Sequence, residues 1–193
     1  LSFMPDLNTG SATVQAKIRK YLQDLLNMGV KGFRIDAAKH MTAQDVAAIL
    51  NGLTLPGGGK PYIFQETIDV SSGEPIRDWE YTPSGDVTEF GYAQAMANTF
   101  NQCNSGKLSD LQTLSTYSDL MPSRFAVVFT DNHDNQRGHG AGGGCIVDHR
   151  DGKTHELANI FVLAYPYGYP SIMSSYYWSD DPATNTGDSL GPP

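Results

Sequence analysis

The feature that most constrains this chain is an alternation of period: stretches with helical spacing give way to short apolar runs, and the runs stop at polar or acidic residues. Val14, Ile18, Leu22, Leu25 and Leu26 share one face at helical spacing. They predict a helix over residues 12–28, with Ser11 as N-cap and Gly29 as the stop. Residues 30–35 then read as a strand ending in Asp36. The unit recurs. Thr42 and Asp45 resemble a capping box that opens a helix carrying Val46, Ile49, Leu50 and Leu53. After the turn at residues 56–59, Tyr62, Ile63 and Phe64 form a strand that ends at Gln65-Glu66. Residues 87–90 give a weaker strand, followed by helical stretches at 92–100 and 108–117. Residues 125–129 are almost continuously apolar, as in a strand buried on both faces, and lead into Thr130-Asp131-Asn132-His133-Asp134. A helix over 153–164 and a strand over 171–174 complete the series.

Such alternation implies an α/β fold with parallel strands joined by helical crossovers. Side chains at the C-terminal ends of parallel strands face one mouth, where α/β proteins place their chemistry. A closed barrel and a doubly wound open sheet share this pattern, so periodicity leaves the strand order open. The composition, 39% hydrophobic and 18% charged over 193 residues, is that of a globular chain. With 13 basic and 21 acidic residues the formal charge is −8, which disfavours nucleic acid and anionic lipid and suits a neutral substrate such as a sugar. No apolar run approaches the roughly 20 residues of a spanning helix. Cys103 and Cys145 read equally well as a disulfide or as two thiols. The chain starts at Leu1 and stops in a loop, and is read as an internal piece whose lack of a leader says nothing about secretion.

The chemistry lies in Asp36, Glu66 and Asp134, each where a strand finishes. A single acidic residue in such a place is more often a cap or a solvated charge; recurrence at successive strand ends raises these three above that. Breaking a glycosidic bond needs two carboxyl groups, one to protonate the leaving oxygen and one to attack or stabilise the cationic carbon. Arg34 lies two residues before Asp36, on the same strand face, and is expected to hold it ionised. Glu66 follows an apolar strand with no basic neighbour nearby in sequence, so desolvation is expected to suit it to proton donation.

Gly32-Phe-Arg-Ile-Asp-Ala-Ala-Lys-His40, Phe64-Gln-Glu66 and the run from Phe129 to Gly140 resemble the three catalytic segments of the α-amylase family, glycoside hydrolase family 13. Pro5-Asp-Leu-Asn8 resembles the segment that closes the family's inserted domain, and Gly73-Glu-Pro-Ile76 and Met173 to Trp178 look like the animal-type members. The segments occur in the family's order and cover nearly the whole chain. The resemblance implies a partial (β/α)8 TIM barrel, approximately strands 4 to 8 with their helices, so that residues 1–193 are the C-terminal part of the catalytic barrel. It implies retaining endo-hydrolysis of α-1,4-glucosidic bonds, with Asp36 as nucleophile, Glu66 as general acid and base, and Asp134 gripping the sugar hydroxyls. Arg34, Lys39, His40, His133 and His139 are then substrate-side residues, with Arg34 orienting Asp36. The partner is an α-glucan polysaccharide or oligosaccharide, and the whole enzyme is expected to be an extracellular monomer. The isolated piece is expected to be inactive and aggregation-prone.

The family's structural calcium would take Asp6 and the carbonyl of His40, with its other ligands upstream of Leu1. The activating chloride of animal-type members would take Arg34 and Asn132. Its third ligand, normally an arginine, matches Tyr177, so weak or absent chloride dependence is expected. An insertion before Glu74 makes that residue's match to the cleft insecure. Asp131, His133, Asp134 and His139 have the side chains of a metal cluster, but His133 and Asp134 are adjacent and would diverge on a strand, which disfavours one. The glycines at 140–144 lack the following lysine of a phosphate loop. Tyr165, Tyr167 and Tyr169 alternate at strand spacing, favouring packing over sugar stacking. The alternatives are a related α-glucosidase or transglycosylase, a non-catalytic barrel subunit, and an unrelated open-sheet protein.

Overall fold

The computed structural model describes residues 5–70, 73, 75–116, 120–138 and 145–174. Helix α1 spans Ala12–Asn27 and buries Leu22 and Leu26. Ser11 is its N-cap through its carbonyl, which accepts from the Gln15 amide at 3.0 Å, and not through its hydroxyl. Gly29 turns the chain at φ 112°, and the Val30 amide returns to the Leu25 carbonyl at 3.2 Å. Strand β1 is Gly32–Ile35 and strand β2 is Tyr62–Gln65. They pair in parallel from Gly32↔Tyr62 to Ile35↔Gln65. The approach is close at its start: a Cβ on Gly32 would lie 2.5 Å from the Tyr62 carbonyl oxygen. Between the two strands, α2 (Ala43–Leu50) buries Val46, Ile49 and Leu50 and packs on α1. Half of the expected capping box forms. Thr42 Oγ1 accepts from the Asp45 amide at 3.1 Å, while the Asp45 carboxylate accepts from Thr9 and Gln15 at the entry to α1.

Contacts divide the chain into two compact units, Leu1–Thr67 with Pro75–Val87, and Ile68–Glu74 with Thr88–Pro193. Strand β3 (Asp86–Thr88) straddles the division. Phe64↔Asp86 and Gln65↔Val87 are its parallel partners in the first unit. In the second unit, the Glu89 amide bonds the carbonyl of Val127 in strand β4 (Ala126–Val128) at 2.8 Å. Strand β5 (Tyr169–Pro170) pairs in parallel with β4 through Val127↔Tyr169 and Val128↔Pro170. All pairing is thus in chain order, β1 to β5, without the reversal that marks a doubly wound sheet.

Helices α3 (Phe90–Phe100) and α4 (Lys153–Ala164) pack on each other in the second unit. Phe90, Ala93 and Phe129 form a core against which Ile68 and Val70 pack. Three expectations shift. Phe90 belongs to α3 because the Glu89 carboxylate caps the helix, accepting from the Gly91 amide at 2.9 Å. Residues 108–116 wind as a 3-10 helix. Strand β5 is Tyr169–Pro170, ahead of the expected 171–174. Tyr167 is a packing residue, as expected: it stacks on Tyr92 at 5.5 Å, and its hydroxyl donates to the Met121 carbonyl. Cys103 and Cys145 form a disulfide with Cα atoms 6.2 Å apart. One side of α4 leaves Leu157, Ile160 and Leu163 exposed.

Candidate active site

The C-terminal ends of β1 and β2 bring three charged side chains together within the first unit. Register sets this up: Arg34 pairs with Phe64 and Ile35 with Gln65, so the residues that follow, Asp36 and Glu66, emerge side by side. Arg34 Nη1 donates to Asp36 Oδ1, and Arg34 Nη2 lies 3.0 Å from Glu66 Oε1. One guanidinium therefore holds both carboxyl groups. The arginine beside Asp36 was legible from spacing. The absence of a basic neighbour for Glu66 was not a property of the folded chain, because strand pairing supplies that neighbour from 32 residues away.

Glu66 is fixed further. Its amide donates to the Ile35 carbonyl at 2.8 Å, and its own carbonyl accepts from Ala38 at 3.0 Å. Its Oε2 accepts from the Ala37 amide at 2.9 Å. Ala37 reaches that position with φ 45°, in the left-handed region, at a cost of about 1 kcal/mol. Nothing in the sequence marks Ala37 as a donor to the site. Glu66 is buried, with its side chain 7% exposed, whereas that of Asp36 is 71% exposed. Lys39 and His40 follow on the 3-10 turn Ala38–His40, Lys39 half-buried and His40 exposed. Buried Tyr81 braces this turn. Its hydroxyl donates to the Met41 carbonyl at 2.7 Å, and its own carbonyl accepts from the Gln65 amide group at 2.9 Å.

In the second unit, the segment after β4 forms a tight turn built on two asparagines. Asn132 Oδ1 accepts from the amides of Asp134 at 3.1 Å and Asn135 at 2.8 Å, and Asn135 Oδ1 accepts from the Asn132 amide at 2.8 Å. His133 Nε2 and Asp134 Oδ2 lie 3.6 Å apart, each about half exposed. The two do not diverge as strand neighbours would, because they sit on a turn. Even so, the described residues contain no group of three His, Cys, Asp or Glu able to hold a metal. Asp131 is buried, bonded to His155, Thr130 and Gln136, a network that nothing local in the sequence marks, because His155 lies 24 residues further along the chain.

The same finding bears on calcium. That ion takes six to eight oxygen ligands, and among the described residues exposed Asp6 and the His40 carbonyl are not joined by a group of acidic or histidine side chains able to hold a metal. These two do not make a calcium site by themselves. Of the chloride residues, Arg34 is engaged by two carboxylates and the Asn132 side-chain oxygen by two amides. His139, Tyr177, Glu74, Trp178 and the glycines at 140–144 lie outside the described residues.

No family model matches the chain. The chain is 43% identical to human alpha-amylase 1B over 201 aligned residues, covering all of this chain and 39% of that relative. It is 42% identical to the alpha-amylase of Oryzias latipes, over 97% of this chain and 38% of the relative. Its fold matches the crystal structure of alpha-amylase I from Eisenia fetida with a TM-score of 0.90 and 38% identity, covering all of this chain and 40% of that one. A mutant of the same Eisenia enzyme, with Gln in place of a Glu, has been solved as a maltohexaose complex and matches equally well. The chain thus spans about two fifths of the length of these relatives. Likeness along its whole length, in sequence and in the barrel fold alike, makes this chain a member of the α-amylase family.

Proposed function

We propose that the protein carrying this chain is a secreted, retaining α-amylase that cleaves internal α-1,4 bonds of starch and glycogen. The observation that carries this reading is the shared guanidinium. Carboxyl groups from two adjacent strands both lie within hydrogen-bond reach of Arg34, in keeping with the roughly 5–5.5 Å separation of retaining enzymes. Asp36 attacks the anomeric carbon while Glu66 donates its proton to the leaving oxygen. The ester at Asp36 has then lost its charge and Glu66 has gained one. A single cation held between the two serves both halves of the reaction, and the Ala37 amide steadies the Glu66 carboxylate as it activates water. Asp134 and His133 bind the ring hydroxyls on the sugar being distorted. Lys39, His40 and His139 line the substrate.

The maltohexaose bound by the Eisenia relative supports an oligomeric α-glucan as ligand. The Cys103–Cys145 disulfide fits an oxidising, extracellular setting. Asp6 and the His40 carbonyl would be two of the calcium ligands, with further oxygens from outside this chain, and no chemical step depends on the ion. Chloride dependence is expected to be weak, since Tyr177 offers no second cation. The 193 residues alone are expected to be inactive. In the intact protein, Glu66→Gln should lower kcat by several orders of magnitude, because no proton reaches the leaving group. A variant within tenfold of wild type removes Glu66 from this role. The product profile on soluble starch separates the readings: mixed maltooligosaccharides support endo-hydrolysis, and glucose or transfer products support the α-glucosidase or transglycosylase alternative.

A further inference from the structure

We propose that His155 is a positioning residue for the turn that presents His133 and Asp134: from the first turn of α4 it grips buried Asp131, and Asp131 ties down both ends of that turn. This rests on the reading of Asp134 as a carboxylate that acts on substrate.

Asp131 is 2% exposed, and both of its oxygens are engaged. Oδ1 accepts from His155 Nε2 at 3.1 Å and from Thr130 Oγ1 at 2.5 Å. Oδ2 accepts from Gln136 Nε2. Thr130 and Gln136 bracket the turn, so one carboxylate fastens its entry and its exit. Between them the asparagine bonds close the turn on itself, and the Gln136 amide bonds the Asn132 carbonyl at 3.1 Å. The turn is therefore braced internally and held through the Asp131 anchor. That anchor reaches α4, where Asn159 Nδ2 donates to the His155 carbonyl at 3.0 Å and Asn159 Oδ1 lies 3.3 Å from Thr130 Oγ1.

A buried carboxylate is tolerated only when paired and fully hydrogen-bonded. Thr130 and Gln136 bring neutral donors. Among the described partners of Asp131, His155 is the one that can bring positive charge. Burial pulls the His155 imidazolium down, but its bond to Asp131 and the charges of Asp131, Asp148 and Asp151 outweigh this and raise its pKa above the usual value. On its own helix, the nearby Glu156 and Lys153 pair with each other at 2.6 Å and are exposed. The stabilisation from this pair is full below about pH 6.5, the unfolded value, and fades as pH rises through the raised folded value.

The test uses the intact protein with His155→Phe, His155→Gln, Asp131→Asn and Asp134→Asn. His155→Phe should lower kcat about 10–100-fold with KM changed less than about threefold, since a misplaced loop costs rate more than binding. His155→Gln keeps a neutral donor and should restore most of kcat while deleting one ionisation from the pH–rate profile. Asp131→Asn should lower the His155 pKa measured by NMR titration, a result that needs no activity and stands if His155→Phe does not fold. Wild-type kcat and pH profile in both His155 variants, equal losses for Phe and Gln, or an unmoved His155 pKa in Asp131→Asn would each overturn the positioning role. Asp134→Asn tells the two readings apart. If it retains full activity, the role of Asp134 falls and takes this inference with it. If it is inactive while His155→Phe remains fully active, only the inference falls.

Discussion

The strand ends of β1 and β2 and the turn after β4 solve the same problem in different ways. At β1 and β2 the carboxyl groups proposed to react are themselves the anchored atoms. Arg34 binds Asp36 and Glu66 directly, and the Ala37 amide takes the remaining Glu66 oxygen. At the β4 turn the Asp134 carboxyl faces His133 at 3.6 Å. Its neighbours carry the rigidity: Asp131 bound to α4, the paired asparagines, and Arg150, whose Nη2 donates to the Gln136 carbonyl at 3.1 Å. A group that forms and breaks covalent bonds gains from direct electrostatic contact, because its charge changes during the reaction. A group with the sugar-binding role proposed for Asp134 must keep its acceptors free, and Asp134 is held through its backbone amide.

The contrast predicts a ranking. In the intact protein Arg34→Gln should lower kcat/KM about a thousandfold, equivalent to about 4 kcal/mol, since it strips the cation from both carboxyls. Arg34→Lys should recover little, because one ammonium cannot fork to two partners. Near-wild-type starch hydrolysis by the lysine variant would break the contrast at its strong end. On the β4 side the larger effects should be on stability. Replacing Cys103 and Cys145 by serine opens a loop with a sequence separation of 42 residues and should cost about 3–4 kcal/mol in urea unfolding, with kcat nearly unchanged at a permissive temperature.

Arg150→Met should cost about 2 kcal/mol, a value discounted for the half-exposed arginine. It also changes acid tolerance. Burial pushes the Asp148 carboxyl up, but the hydrogen bonds and charge of Arg150 outweigh it and hold the carboxyl below its usual value. The stability this supplies is full above about pH 4 and is lost as pH falls through the lowered folded value. Thermal melts across pH should therefore show the deficit of Arg150→Met fully developed above about pH 4 and narrowing as pH falls through the lowered wild-type value, where wild type loses the same contribution. The smallest effect belongs to Ala37. Glycine suits φ 45° but loosens the unfolded chain, so Ala37→Gly should stay within about 0.5 kcal/mol of wild type. Ala37→Val should lose about 1–2 kcal/mol and disturb Glu66. Equal melting of both variants would show that the left-handed backbone is not held under strain.

Much of the scaffold was readable because its signals are local. Apolar spacing located α1 and α4 within a residue or so, and β2 and β4 followed from short apolar runs, whereas α2 stops at Leu50 and the Leu53 expected on it is buried from the turn beyond. Errors came where a tertiary contact overrode the local pattern. Glu89 pulled Phe90 into a helix by capping it, and β5 formed where Tyr169 and Pro170 could pair with Val127 and Val128, two residues ahead of the apolar run that suggested it. In the site, Arg34 and Asp36 were legible because i and i+2 share a strand face. The bond from Arg34 to Glu66 was not, because it depends on the register of two strands.

The sequence by itself determined the inventory: which residues could carry charge, where strands had to end, and which family's segments the chain contains. Periods of two and of 3.6 residues are properties of a single segment, and they survive in the linear text. Tertiary structure alone decided that the strands pair in chain order, that one arginine serves two carboxyls, and that a histidine on α4 reaches a buried aspartate 24 residues earlier. Those facts depend on distances across segments, and electrostatic energies, which fall off with separation, are fixed only when the segments have been brought together.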